Sequence, residues 1–239
     1  MSKYANPAYN LGLAAKDAGD FAAVLEKQKG GLYRDVAVKL LTDHHATKDD
    51  VLDGLEWLRR EVTARDVGMM FLAGHGMNDT YNHYYFLPHN ADPERLLRTG
   101  LGQNDIKTAL NTLAGKALFF VDTCHSGNAL GTAKRRGLDI AAFVNDLASA
   151  ENGVVVFSAA TSGQSSLEDP AWGNGAFTKA VVEGLGGAAE YQNSGKITHK
   201  GLDFYVTERV KTLTNGQQSP VSIAPHGVTD FPIAVVGYR

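Results

Sequence analysis

Two stretches decide how this chain is read: Val67-Gly-Met-Met-Phe-Leu-Ala-Gly-His-Gly76 and Ala117-Leu-Phe-Phe-Val-Asp-Thr-Cys-His-Ser-Gly127. Each opens on an unbroken apolar run of strand length and ends in small, polar, glycine-bearing residues. An apolar run without alternation marks a strand covered on both faces, the situation inside a sheet sandwiched by helices. Such sheets gather their chemistry at the carboxyl ends of the strands. If the two strands are neighbours, the polar turns that end them bring His75 and Cys124 into one crevice.

The surrounding sequence supports that setting. Ala14, Ala18, Phe21, Ala22 and Leu25 recur at helical spacing. Thr47 to Asp50 resembles a capping-box start, and Val51, Leu52, Leu55 and Leu58 stripe the helix after it. Asp35 to Leu41, Tyr84 to Leu87, Gly153 to Ser158 and Phe231 to Val236 read as further strands. Pro232 lacks an N–H donor and suits a sheet edge or a strand start. Helical stripes return at Ile106 to Leu113, Ile140 to Leu147, Phe177 to Leu185 and Leu202 to Leu213. This alternation predicts an α/β fold with a mostly parallel central sheet and helices on both faces. With 239 residues, 44% of them apolar, the chain is expected to form one domain over 1–239.

Composition narrows the function. A net charge of −3 and a pI near 6.2 do not indicate a basic nucleic-acid-binding surface. No run of 18 apolar residues is present for a membrane helix, and MSKYANPAYN lacks the apolar core of a signal peptide. The expectation is a cytoplasmic chain with neither a nucleic-acid nor a membrane partner. The single cysteine excludes an internal disulfide and a cysteine-rich metal site. A lone cysteine is by default a small buried apolar residue, so its neighbours must argue for chemistry. They do: an imidazole can take the proton of a thiol or stabilise its thiolate, and it titrates near neutrality. Cys124 is the candidate nucleophile and His75 its base. The N–H groups of Cys124 and Gly76 are candidate oxyanion donors. His125 directly follows the nucleophile and is read as orienting the loop. His44, His45, His83, His89, His199 and His226 are read as lying on solvated loops.

These paired motifs resemble the caspase, metacaspase and paracaspase group of cysteine peptidases. The histidine precedes the cysteine by 49 positions, close to the spacing of about 50 in caspases. In place of the caspase Gln-Ala-Cys stands Asp122-Thr-Cys-His-Ser-Gly127, which is similar to metacaspases and bacterial homologues, as are Phe157-Ser-Ala-Ala160 and Trp172-Gly-Asn-Gly-Ala-Phe-Thr178. The resemblance implies the caspase-haemoglobinase fold, with a large-subunit-like part over about 1–130 and a small-subunit-like part over about 140–239. It implies cleavage after arginine or lysine, with Asp122 in the first specificity pocket and Asp17 and Glu168 beside it; converging carboxylates favour a guanidinium. Read without the resemblance, Asp122 caps its turn, Asp17 is the polar face of a helix, and Glu168-Asp169 is a solvated loop pair. Lys134, Arg135 and Arg136 are candidate self-processing sites. Metacaspases often need calcium, yet Asp79, Asp92 and Asp105 lack calcium-loop spacing, so no cofactor or metal is expected. Caspases pair through their last strand, and Phe231 to Val236 could form a homodimer in the same way. One departure stands out. Family members open with an apolar strand ahead of the Lys3-Tyr-Ala-Asn-Pro7 segment, between the second and third strands of the sheet; here only Met1 and Ser2 precede it. The first strand is expected to be missing or truncated, leaving ladder groups unpaired. The leading expectation is an endopeptidase acting on protein or peptide substrates. The alternative is a catalytically silent interaction module, against which the retention of both His75 and Cys124 argues. An aspartate-directed peptidase would need basic residues at the pocket, and Arg34 and Arg65 are not obviously placed there.

Overall fold

A computed structural model of the chain describes residues 1–125, 140–149, 153–160 and 166–237; for Cys124 and His125 it describes the backbone alone. The main sheet contains β1 (Val67–Asn78), β2 (Tyr84–Phe86), β3 (Leu101–Gly102), β4 (Lys116–His125) and β5 (Val154–Ser158). A short hairpin follows, β6 (Glu168–Asp169) with β7 (Asn174–Gly175), and then β8 (Lys196–Thr198), β9 (Val221–Ile223) and β10 (Pro232–Val235). The helices are α1 (Ala14–Glu26), α2 (Lys48–Glu61), α3 (Leu96–Thr99), α4 (Gln103–Asn111), α5 (Ala141–Ser149), α6 (Ala176–Glu183) and α7 (His199–Leu213). The sheet runs β3-β2-β1-β4-β5-β9. Its centre, β1-β4-β5, is parallel, and the flanking pairs are antiparallel.

The two-residue period of the strands divides the core. Phe119, Val121, Val154 and Val156 point to one face, where Val51 and Leu55 of α2, Ile106 and Leu110 of α4, and Phe143 and Leu147 of α5 cover them. Leu118, Phe120, Val155 and Phe157 point to the other, under Phe21 of α1, Phe177 and Val181 of α6, and Leu202 and Val206 of α7. Phe120 and Phe157 stack with ring centres 4.8 Å apart. Helix α2 starts as its sequence predicts: the Thr47 N–H donates to Asp50 Oδ2 at 2.9 Å, and the Asp50 N–H to Thr47 Oγ1 at 3.3 Å.

Several expectations need correction. Asp35 to Leu41 is not a strand: it runs irregularly past β1, separated from it by an open cleft. A strand requires a ladder partner, and none among the described residues reaches this segment. The C-terminal strand does not edge the main sheet. It pairs with β8 in a separate ribbon, starting at Pro232 and shifting register before Ala234; β9, which shows no strand pattern in sequence, edges the sheet instead. The two decisive motifs are not turns, because β1 continues through Gly76 to Asn78 and β4 through Cys124 to His125. His199 is buried rather than solvated: it opens α7 facing inward, packs on Phe231, and holds Nδ1 3.1 Å from Asp230 Oδ1.

Candidate active site

The ten-residue parallel register of β1 with β4 pairs Ala73 with Asp122, His75 with Cys124 and Gly76 with His125. Neighbouring strands lie about 4.8 Å apart, so the backbones carrying the imidazole and the thiol are adjacent. The His75 ring is buried against Tyr4, centroid to centroid 5.2 Å. Its backbone is clamped: its N–H donates to Tyr4 Oη at 2.9 Å, and its carbonyl accepts from Leu87 N–H at 2.9 Å.

The ring nitrogens are distinguished by their surroundings. Nε2 lies 2.9 Å from the Tyr9 carbonyl oxygen. A carbonyl only accepts, so Nε2 carries the proton. Nδ1 is left with its lone pair, buried and without a hydrogen-bond partner among the described residues. Burial holds the imidazole below its ordinary pKa; the Tyr9 carbonyl pulls it back up, and the ammonium of Met1 pushes it down. Gly76 sits in the ladder opposite Phe86. A Cβ there would come 2.9 Å from a ring carbon of Tyr84, so glycine is required by close approach.

Three elements deliver the carboxylates. Asp17 lies in the first turn of α1, Asp122 on β4 and Glu168 on β6. They meet around Gly175, which faces Glu168 across the hairpin. A Cβ on Gly175 would lie 3.3 Å from both Asp17 Oδ2 and Asp122 Oδ2, so those two oxygens are at most twice that distance apart. Thr178 Oγ1 donates to Asp122 Oδ2 at 2.7 Å, and Ser166 Oγ donates to Asp122 Oδ1. Asn174 Nδ2 donates to Asp17 Oδ1 at 2.9 Å and to Asp20 Oδ2 at 2.7 Å; the Gly175 N–H adds 3.3 Å contacts to both Asp17 oxygens. Glu168 sits at the more exposed rim, held by the N–H groups of Leu13 and Gly12. Asp17 and Asp122 are almost fully buried.

Burial, and then the charge of Asp122, push Asp17 up to about 7, against the opposing hydrogen bonds of Asn174 and Gly175. Burial raises Asp122 too, against Ser166 and Thr178, while partial burial and Asp122 raise Glu168. Among the described residues none of the three has an ion-pair partner. Carboxylates in this state favour an incoming cation with several N–H donors.

The structure therefore brings together Asp17, Asp122 and Glu168, and separately sets His75 beside the Cys124 backbone. Lys134, Arg135 and Arg136 lie outside the described residues. Asp79 bonds His83, Asp92 accepts from the Glu94 N–H, and Asp105 in the first turn of α4 accepts from the Gly102 N–H, each a local contact. No group of three or more potential metal ligands occurs among the described residues. Sequence reasoning missed Tyr9, Asn174, Gly175, Ser166 and Thr178 as supports. Three of these lie in or beside Trp172-Gly-Asn-Gly-Ala-Phe-Thr178, where alternating small and hydrogen-bonding residues were the available signal.

The statistical profile of the Caspase domain family matches residues 1–227. The chain belongs to that family. The crystal structure of protein GSU0716 from Geobacter sulfurreducens is similar, with a TM-score of 0.65 at 18% identity over 95% of this chain and 91% of that one; at that identity the likeness speaks for the fold. No curated protein matches the chain significantly. No helix among the described residues is long and apolar enough to cross a membrane.

Proposed function

We propose that the chain is a cytoplasmic cysteine endopeptidase that cleaves after arginine or lysine, using Cys124 and His75. The observation that carries the specificity is the carboxylate cluster around Gly175, which has no ion-pair partner among the described residues and includes Asp122, two positions before Cys124 on the same strand. Desolvated carboxylates are costly unless paired; a substrate guanidinium or ammonium in the pocket would relieve that cost at the moment of binding. The alignment of His75 with Cys124 supports the chemistry. Nδ1, free of its own proton, would take the thiol proton. The thiolate would attack the scissile carbonyl, the imidazolium would return its proton to the leaving amine, and water would hydrolyse the thioester. The N–H groups of Cys124 and Gly76 are the proposed donors to the oxyanion.

The test is hydrolysis of fluorogenic peptides with Arg, Lys or Asp at the cleaved position, with and without calcium. Wild type should cleave the Arg and Lys peptides; Cys124→Ala and His75→Ala should not, and Asp122→Asn should lose the basic preference. Preference for Asp would overturn the pocket assignment. No turnover by folded protein would favour the silent module.

A further inference from the structure

Gln218 follows the turn at the end of α7 and belongs to no helix or strand, yet it is only 1% exposed. Both ends of its amide are used. Nε2 donates to Ala159 O at 2.7 Å, and Oε1 accepts from the Leu167 N–H at 2.9 Å. A carbonyl only accepts and an N–H only donates, so these two partners fix which way the amide faces. The Gln218 N–H donates to Thr214 Oγ1 at 3.2 Å, and Thr214 Oγ1 donates to Val210 O at 2.8 Å. The side chain is thereby anchored to the last turn of α7.

The two backbone groups that Gln218 holds adjoin the carboxylate cluster. Ala159 follows β5, and its N–H donates at 2.9 Å to the carbonyl of Val121, the residue before Asp122. The Leu167 N–H belongs to the peptide unit that begins at Ser166. The Leu167 carbonyl belongs to the unit that ends at Glu168, and it accepts from the Ala176 N–H at the start of α6 at 2.9 Å. A peptide unit is planar, so holding its N–H or its C=O orients the whole unit. Gln218 orients the first of these units and α6 the second. Between them they aim Ser166, whose hydroxyl donates to Asp122 Oδ1, and Glu168, at the rim. The Ser166 hydroxyl favours the charged form of Asp122.

We infer that Gln218 is a positioning residue for specificity: by fixing the Ser166–Leu167 peptide unit against the end of β5, it keeps the Ser166 hydroxyl on Asp122 and so sets the preference of the pocket for a cationic side chain. The inference rests on the proposed basic specificity and deepens it. Gln218 touches neither carboxylate; it acts through Ser166.

The experiment uses the full chain with Cys124→Ala, which prevents turnover, and measures binding by calorimetry. The probes are acetyl-Ala-Ala-Ala-Arg-amide and its citrulline counterpart, which keeps the shape of arginine without the charge. The ratio of their dissociation constants reads the pocket. A general loss of stability weakens both probes alike and leaves that ratio unchanged. Gln218→Met, similar in length and apolar, should cut the arginine preference about tenfold, the size of one hydrogen bond to a charged group. Ser166→Ala should cut it by a similar factor. Adding Gln218→Met to Ser166→Ala should then cost less than about threefold, because two residues acting through one hydroxyl are not additive. An unchanged ratio in folded Gln218→Met overturns the inference, as do fully additive losses in the double variant. If Cys124→Ala alone shows no arginine preference, the pocket reading falls and this inference with it. A preference present there but untouched by Gln218→Met sinks this inference alone. Should Gln218→Met fail to fold by circular dichroism, Thr214→Val answers in its place, since it removes the oxygen that anchors the Gln218 N–H. The preference should then drop about threefold, and an unchanged ratio overturns the inference.

Discussion

Asp17→Asn should stabilise this protein at pH 8 and do little at pH 4. Asp17 titrates at about 7 in the folded chain against an ordinary value of 3.8, because burial and the neighbouring charge of Asp122 disfavour its anion. That gap corresponds to about 4 kcal/mol of destabilisation once the carboxyl is ionised in both states. The sign follows from the proton count. Between 3.8 and about 7 the folded chain holds a proton that the unfolded chain has released, so stability from this group rises as pH falls. Asparagine keeps the size and accepts from Asn174 and Gly175 through one oxygen instead of two; the weaker hydrogen bonds cost about 1 kcal/mol. The net gain is about 2–3 kcal/mol above pH 7, or a Tm increase of about 5–10 °C for a chain of this size, shrinking toward pH 4. Urea or thermal unfolding of both proteins from pH 4 to 9 measures it. Equal stability at pH 8, or a difference that does not change with pH, would refute the claim that the carboxylates repel one another in a buried site.

The other predictions concern neighbouring groups. Thr178→Val should destabilise by about 2 kcal/mol at pH 8, since it removes a donor from a buried carboxylate without changing volume; urea denaturation reads it. Gly76→Ala should cost about 1–3 kcal/mol by forcing a methyl against Tyr84, seen as a lower urea midpoint. Selectivity for Arg over a neutral side chain, as a ratio of kcat/KM, should fall as pH drops from 8 to 6 and Asp17 takes up its proton. His75 acts in the opposite sense on stability. Its depressed pKa means the unfolded chain binds the proton first, so below pH 6.5 its burial destabilises the fold; His75→Gln should flatten that part of the stability profile.

Much was legible in the sequence because it is local. The apolar runs at 67–73 and 117–121 define buried strands, helical stripes define α1, α2 and α4 to α7, and Thr47 with Asp50 caps its own helix. The pairing of His75 with Cys124 follows once those two strands are neighbours. What the sequence could not decide is long-range. Asp35 to Leu41 carries a strand pattern, yet pairing is a property of two segments, and it has no partner among the described residues. Phe231 to Val236 is a strand on any reading, but only the packed molecule chooses β8 over the main sheet. The meeting of Asp17, Asp122 and Glu168 is of the same kind. Three carboxylates from three elements converge because one glycine, 175, lets them approach; their mutual charge and shared burial, which raise Asp17 to about 7, exist only when tertiary contact removes the water between them.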